Sequence, residues 1–340
     1  GRTARSEADG GELTLAERQT LLRYDPPEDE SPAADDCCAP PAFRPAHFLR
    51  CHSARDDPAD VHTELWDCKF EPGGGAVVAT CGGRSVCLLD AGSGLLLKKF
   101  SHPDLRERLG ALAWSRLRLD EVGSRRLSVL AVGGARHVHL LHPDNLTWYA
   151  SFAAGGAGCR EVTALLFHPR RSRWLLCATG DCHVSLWDVG VPAPPHYQVR
   201  PRRLLTLPGP AERCVDLAAA PHRVLRWSDT EAAYLGLGAG RRLLAAGDDC
   251  GDVWLYDWSA NDSGGGDEPI HTLRWPRPVD DELMRARKVP LHEFDILVNR
   301  VCVSEDERYL VAVTHNNMVC VWHRLGLESG GKYGEDTELE

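Results

Sequence analysis

Two short arginine clusters are the most chemically suggestive residues in the chain. Arg170, Arg171 and Arg173 stand almost side by side, as do Arg200, Arg202 and Arg203. A guanidinium is a planar fork of donors that grips phosphate or carboxylate at two points, so both clusters are candidate contacts for a nucleic-acid backbone or an acidic protein surface. Taken singly, such clusters are more often hydrated loop charge. Other reactive residue types are arranged less pointedly. Thirteen cysteines include no C-x-x-C pair, and most, including Cys81, Cys87, Cys177, Cys302 and Cys320, lie within apolar runs. That placement reads as buried free thiols. Fifteen histidines show no zinc-ligand spacing. Asp56-Asp57 and Asp248-Asp249 read as hydrated loop carboxylates, and Gly92-Ser93-Gly94 and Gly236 to Gly240 as turns between strands, with no helix behind them to make a phosphate loop. No serine or cysteine has an activating neighbour. The residues therefore point away from an enzyme, a metal, a cofactor or a small-molecule substrate.

The 340 residues are 43% hydrophobic, enough for a substantial core, and carry a net charge of -10. Most of that charge lies in acidic ends, residues 1–45 and 326–340, which read as solvated and disordered. One stretch, Leu13 to Tyr24, has the spacing of a short amphipathic helix. The body, residues 46–325, is nearly neutral, without the overall basic field that drives nucleic-acid binding. No run of 18 apolar residues or signal peptide is present, so the expectation is a reducing intracellular setting with no membrane partner.

The elements that position these residues repeat. Five segments end alike: Ser85 to Asp90, His137 to His142, His183 to Asp188, Asp252 to Asp257 and Met318 to His323. Each follows a small-residue turn and a second apolar strand. An inner strand precedes each, ending at Phe70, Trp114, Phe167, Trp227 and Val303, and an outer strand follows the first four: Leu95 to Phe100, Thr147 to Phe152, Arg203 to Leu207 and Ile270 to Trp275. A unit that cannot bury both faces alone must stack on neighbours, so the reading is an all-β propeller with five recognisable blades. The fifth unit lacks an outer strand. Ala46 to His52 is a strand with no partner beside it in sequence, and pairing it with the fifth unit closes the ring and removes the exposed edge. The last two intervals between units exceed a blade of about 40–45 residues by roughly 25. The excess falls at Pro208 to His222 and Pro276 to Asp295, the second with a helical turn around Leu283 to Lys288.

Leu186-Trp187-Asp188-Val189 is a WD-repeat ending, and the other four endings are degenerate forms of it. His47 to Pro72, Val77 to Gly94, Ser185 to Pro192, Gly251 to Ser259 and the last blade together resemble the carboxy-terminal propeller of the leucine-rich repeat and WD repeat-containing protein 1 family. The leucine-rich repeats of that family have no counterpart here, and its propeller is longer between the third blade and the Trp227 segment, so the five blades are either a closed ring or part of a larger one. The resemblance implies a hydrogen-bonded structural set in WD blades, here Thr179, Asp181, Trp187 and Asp188 in blade three and Thr314 and Trp322 in blade five, with Asn317 in the aspartate position. It also implies a nuclear, chromosome-bound adaptor at heterochromatin, centromere and telomere. Its partners would be origin recognition complex subunits, replication licensing factors, and histones or nucleosomes carrying repressive methyl marks. A methyl-lysine reader needs an aromatic cage. In a related propeller the cage stands four residues before the inner-strand landmarks, which here gives Trp66, Gly110, Thr163, Arg223 and Asn299. Trp66 alone is aromatic. The alternative is a generic WD scaffold or a substrate receptor of a ubiquitin ligase.

Overall fold

The computed structural model describes residues 41–53, 55, 57, 59–118, 126–155, 160–192, 199–208, 228, 235–257, 269–274 and 296–326. Among them every regular element is a strand, and the strands form five four-stranded antiparallel sheets. After β1 (Phe43–Leu49), the first blade comprises β2 (Leu65–Phe70), β3 (Val77–Gly82), β4 (Ser85–Asp90) and β5 (Leu95–Ser101). The second is β6 (Ala111–Arg118), β7 (Arg126–Gly133), β8 (His137–His142) and β9 (Thr147–Ala153). The third is β10 (Val162–Phe167), β11 (Trp174–Thr179), β12 (His183–Asp188) and β13 (Arg202–Pro208). The fourth is β14 (Leu237–Ala239), β15 (Leu243–Gly247), β16 (Val253–Asp257) and β17 (His271–Leu273), and the fifth is β18 (Val298–Val303), β19 (Tyr309–Thr314) and β20 (Val319–Arg324) with β1 added at its outer edge.

The strands form where β-branched and large apolar residues cluster, because such residues fit a pleated surface, and the second strands of blades one and five are almost wholly buried. Between the second and third strands the turn needs one left-handed residue, and Cys182 and Asn317 supply it at φ 61 without being glycine. Four of the five outer strands carry a bulge at the same place, and the three-residue β17 carries none. Leu97, Tyr149 and Leu204 are the unpaired residues of β5, β9 and β13, and Ala46 is that of β1. The first strand therefore reproduces the geometry of an outer strand made by the fifth blade itself. Closure by the N-terminal strand is as expected, but the strand lies at Phe43–Leu49, not Ala46 to His52. Leu49 pairs with the first residue of β20, so the ladder ends there and Arg50 to His52 turn toward the first blade.

Apolar clusters join neighbouring blades. Val86 and Leu88 meet Leu112, Leu130 and Leu141 between blades one and two. Leu140 and Phe152 meet Leu165, Leu175 and Trp187 between two and three. Leu255 meets Val301, Trp322 and Phe48 between four and five, and Val311 and Leu49 meet Leu65 and Val78 between five and one. No such cluster joins blades three and four among the described residues. Leu166, Leu176, Val184 and Leu186 on the third blade, and Leu244 and Trp254 on the fourth, stay half-buried, and Leu237 is 47% exposed.

One inner strand departs from the sequence reading. The fourth blade's inner strand is β14, inside the glycine-rich Gly236 to Gly240 stretch, and not the segment ending at Trp227, which lies outside the described residues. Glycine is required there: a Cβ on Gly238 would sit 2.5 Å from the Val301 carbonyl oxygen. Also outside the described residues are the helix expected at Leu13 to Tyr24, the turn at Leu283 to Lys288, Arg223 and most of both acidic ends.

Candidate functional site

The two arginine clusters, far apart in sequence, meet at one end of the third blade. Antiparallel register sets Trp174 opposite Asp188 and Asp188 opposite Arg202, so the β10–β11 turn and the start of β13 share that end. Arg170, Arg171, Arg173, Arg200, Arg202 and Arg203 are all exposed. The turn is held rigidly. Ser115 Oγ donates to the Ser172 carbonyl at 2.7 Å, and the amides of Arg170 and Arg171 donate to His168 Nδ1 at 3.1 and 3.2 Å. The Arg171 guanidinium lies 4.1 Å from the centroid of Trp174, and that of Arg203 lies 5.9 Å from Trp187. Stacking on an aromatic face orients the fork without consuming its donors. Arg173 reaches Asp188 at 3.7 Å, a loose exposed pair. The product is a positively charged end with fixed turns, suited to phosphate oxygens or a carboxylate-rich surface.

Trp66 lies at the other end of the strands. It is half-buried and is the unpaired residue of a bulge at the start of β2. Thr163 and Asn299 occupy the same bulge in β10 and β18, so counting back from the landmarks finds a real structural position, one where bulges re-aim a side chain. Gly110 stands just before β6, which has no bulge. Beneath Trp66 runs a network the sequence did not announce. Asp67, 1% exposed, pairs with Arg300 Nε at 3.0 Å and accepts the Leu112 amide at 2.7 Å, tying blade one to blades five and two. Asn299 Nδ2 donates to the Leu65 carbonyl at 2.7 Å. Asp67 follows Trp66 within an apolar run, and only the ring places Arg300 against it.

The structural WD residues are only partly linked. Thr179 Oγ1 donates to Asp181 at 2.5 Å, but Trp187 Nε1 is buried without a hydrogen-bond partner. Thr179 pairs with His183, four positions up β12 from Trp187, so indole and hydroxyl stand about 13 Å apart along the strand. Trp187 is a packing residue, 4.4 Å from the Phe152 ring. In blade five Thr314 bonds Asn316, while Asn317 accepts the His52 amide at 3.3 Å and donates to the Asp60 carbonyl at 3.0 Å. Trp322 is a core residue, 1% exposed. The polar set is most complete in blade one, where His52 contacts Thr80 Oγ1 at 2.8 Å and Ser85 Oγ at 2.9 Å. In blade four Asp248, read from the sequence as hydrated, is buried and accepts from Trp254 Nε1 at 2.8 Å and from the amides of Cys250 and Asp252. Its position just after β15 makes it a turn cap, which a loop reading overlooks.

The described cysteines are free, and seven are buried, with burial pushing Cys68, Cys81 and Cys320 up. Blade two instead carries a histidine group: His102 and His139 are buried, with ring centroids 4.9 Å apart, and both contact Trp148. Burial first, and then the neighbouring His102 and His137, lower the His139 pKa from 6.5 to about 4.

Comparison with known proteins bears on this geometry. The family profile described as leucine-rich repeat and WD repeat-containing protein 1, WD domain, matches residues 33–224. The chain belongs to that family. A second profile, the WD domain G-beta repeat, matches residues 286–323. Among curated relatives named leucine-rich repeat and WD repeat-containing protein 1, that of Homo sapiens is 28% identical across 87% of this chain and 60% of its own length. That of Danio rerio is 26% identical across 84% and 51%, and that of Xenopus tropicalis 35% identical across 48% and 24%. The chain thus spans about half the length of the Danio rerio and Homo sapiens relatives. The zebrafish alignment runs over 399 positions, so within the matched span that relative carries on the order of a hundred residues more than this chain, about two blades' worth.

Proposed function

We propose that this WD-repeat protein of the leucine-rich repeat and WD repeat-containing protein 1 family is a non-enzymatic chromatin adaptor. In this reading it binds the origin recognition complex and stabilises it on heterochromatin in the nucleus, at centromeres and telomeres, in support of replication initiation. The observation that carries the reading is the convergence of six exposed arginines at one end of the third blade, on turns fixed by Ser115, His168 and Trp174. A rigid all-strand platform with such an end suits partner binding better than chemistry. Recognition of repressive histone methylation would involve Trp66 at the opposite end of the strands, so one partner could engage without displacing the other.

Pull-down by the full chain tests the adaptor role. Recovery of origin recognition subunits and nucleosomes, lost when Arg171, Arg173, Arg202 and Arg203 are changed together to serine, supports it. Recovery of ubiquitin ligase components without them favours a substrate receptor. For the methyl mark, trimethyl-lysine histone peptides should bind the wild-type chain and lose affinity in Trp66→Ala; unchanged affinity removes Trp66 from the reading.

A further inference from the structure

Blade two holds three side chains that converge without satisfying one another. His102 and Glu107 lie on the connection between β5 and β6, and His139 lies on β8. One ligand atom from each falls within 4.8 Å of the other two. His139 is 3% exposed and both its ring nitrogens lack a partner; His102 is 6% exposed and its Nε2 lacks one. Burying three ring nitrogens unpaired in adjacent imidazoles is costly, and native interiors rarely do so without an occupant.

We propose that His102, Glu107 and His139 form a binding site for a divalent transition-metal ion, zinc by chemistry, with water completing the coordination. Two imidazoles and one carboxylate are a zinc donor set, and the carboxylate reduces the charge brought into the site. Ligand atoms around a tetrahedral zinc stand roughly 3.3 Å apart at bonds of about 2.0 Å, so the three atoms, now within 4.8 Å of one another, would draw together on binding. The carboxylate is already oriented, because Glu107 Oε1 accepts the Ala135 amide at 2.5 Å. A Cβ on Gly134 would collide with that oxygen, so the glycine keeps the approach open. His102 Nδ1 now accepts the Asp104 amide at 3.2 Å, which places its proton on Nε2. Metal binding at Nε2 would move that proton to Nδ1, which breaks this hydrogen bond and sets the new N–H against the Asp104 amide, so the His102–Asp104 turn must adjust for the ion to bind. The ion would staple the linker between blades one and two to the third strand of blade two. Glu107 is half-buried and the neighbouring Trp148 is 37% exposed, so the group lies close to the surface.

The test is titration of the full 340-residue chain, freed of metal by chelator, with Co2+ and then Zn2+. One equivalent of cobalt should give d–d bands without a thiolate-to-cobalt charge-transfer band, and zinc should displace it. His102→Gln and His139→Gln should each lower the affinity at least tenfold, with folding checked by circular dichroism. Should either variant fail to fold, Glu107→Gln, on the half-buried linker, reads the same donor set. Absence of stoichiometric binding overturns the proposal, as does affinity unchanged in these variants. A dominant thiolate band also overturns it, since it assigns the metal to cysteines such as Cys51 and Cys87, which lie close to His52.

Discussion

At the scale of single residues, packing and polar duty have separated in this propeller. Trp187 has the position of a WD tryptophan yet donates to nothing, so its contribution should be its volume. Trp187→Ala should cost about 3–5 kcal/mol, whereas Trp187→Phe should cost under about 1.5 kcal/mol, both read as shifts in the urea denaturation midpoint. A large penalty for phenylalanine would mean that the indole N–H matters after all. His323 gives a pH-dependent case. It stacks on Tyr309 at 5.3 Å, and burial first, then Arg44, Arg308 and His47, lower its pKa below 6.5. The unfolded chain therefore binds this proton more readily than the folded one. Stability from neutral His323 is full above about pH 6.5 and is lost as the pH falls below it. His323→Phe keeps the stacking and removes the titration, so its loss of stability between pH 7 and pH 5 should be smaller than that of the wild-type chain.

At the scale of elements, the third strands were legible because each ends in a leucine, tryptophan or tyrosine followed by a polar residue after a small-residue turn. The structure places them within a residue of the expected bounds. The outer strands of the first three blades were legible as the next apolar stretch after each third strand, whereas that of the fourth is only His271–Leu273 within the expected Ile270 to Trp275. The inner strand of blade four was not, because β14 is three residues long and built around Gly238, whose composition resembles a turn. Its strand character comes from pairing with β15, and β18 passing too close for any side chain at Gly238 accounts for the glycine. The arginine end was half legible: each cluster could be seen, but only the register of β11, β12 and β13 unites them. For β1 the shared bulge and the burial of Phe48 make it a full member of the fifth blade. Phe48→Ala should destabilise by about 3–5 kcal/mol. Amide exchange of Phe43–Leu49 should match that of β20; free exchange there would mean that the ladder is not closed.

At the scale of the whole molecule, four blade interfaces carry apolar clusters and the junction of blades three and four carries none among the described residues. The zebrafish relative's surplus of about two blades' length fits a larger ring of which this chain holds five blades. The repeat itself offers a matched test, because Leu88 in blade one and Leu186 in blade three occupy the same strand position. Leu88→Asp buries a charge between packed blades and should cost more than about 4 kcal/mol. Leu186→Asp, on the half-buried face toward blade four, should cost about 1 kcal/mol; equal penalties would show that this face is covered. Local patterning was enough to specify most of the strands, their order and the use of a first strand to complete the fifth blade, because apolar runs and small-residue turns act over short range; it missed β14 and misplaced the bounds of β1. Which faces meet, how Asp67 finds Arg300, where six arginines gather and why two buried histidines lie beside one carboxylate depend on contacts between residues distant in the chain. Stacking of blades sets those contacts, and no short stretch of sequence encodes it.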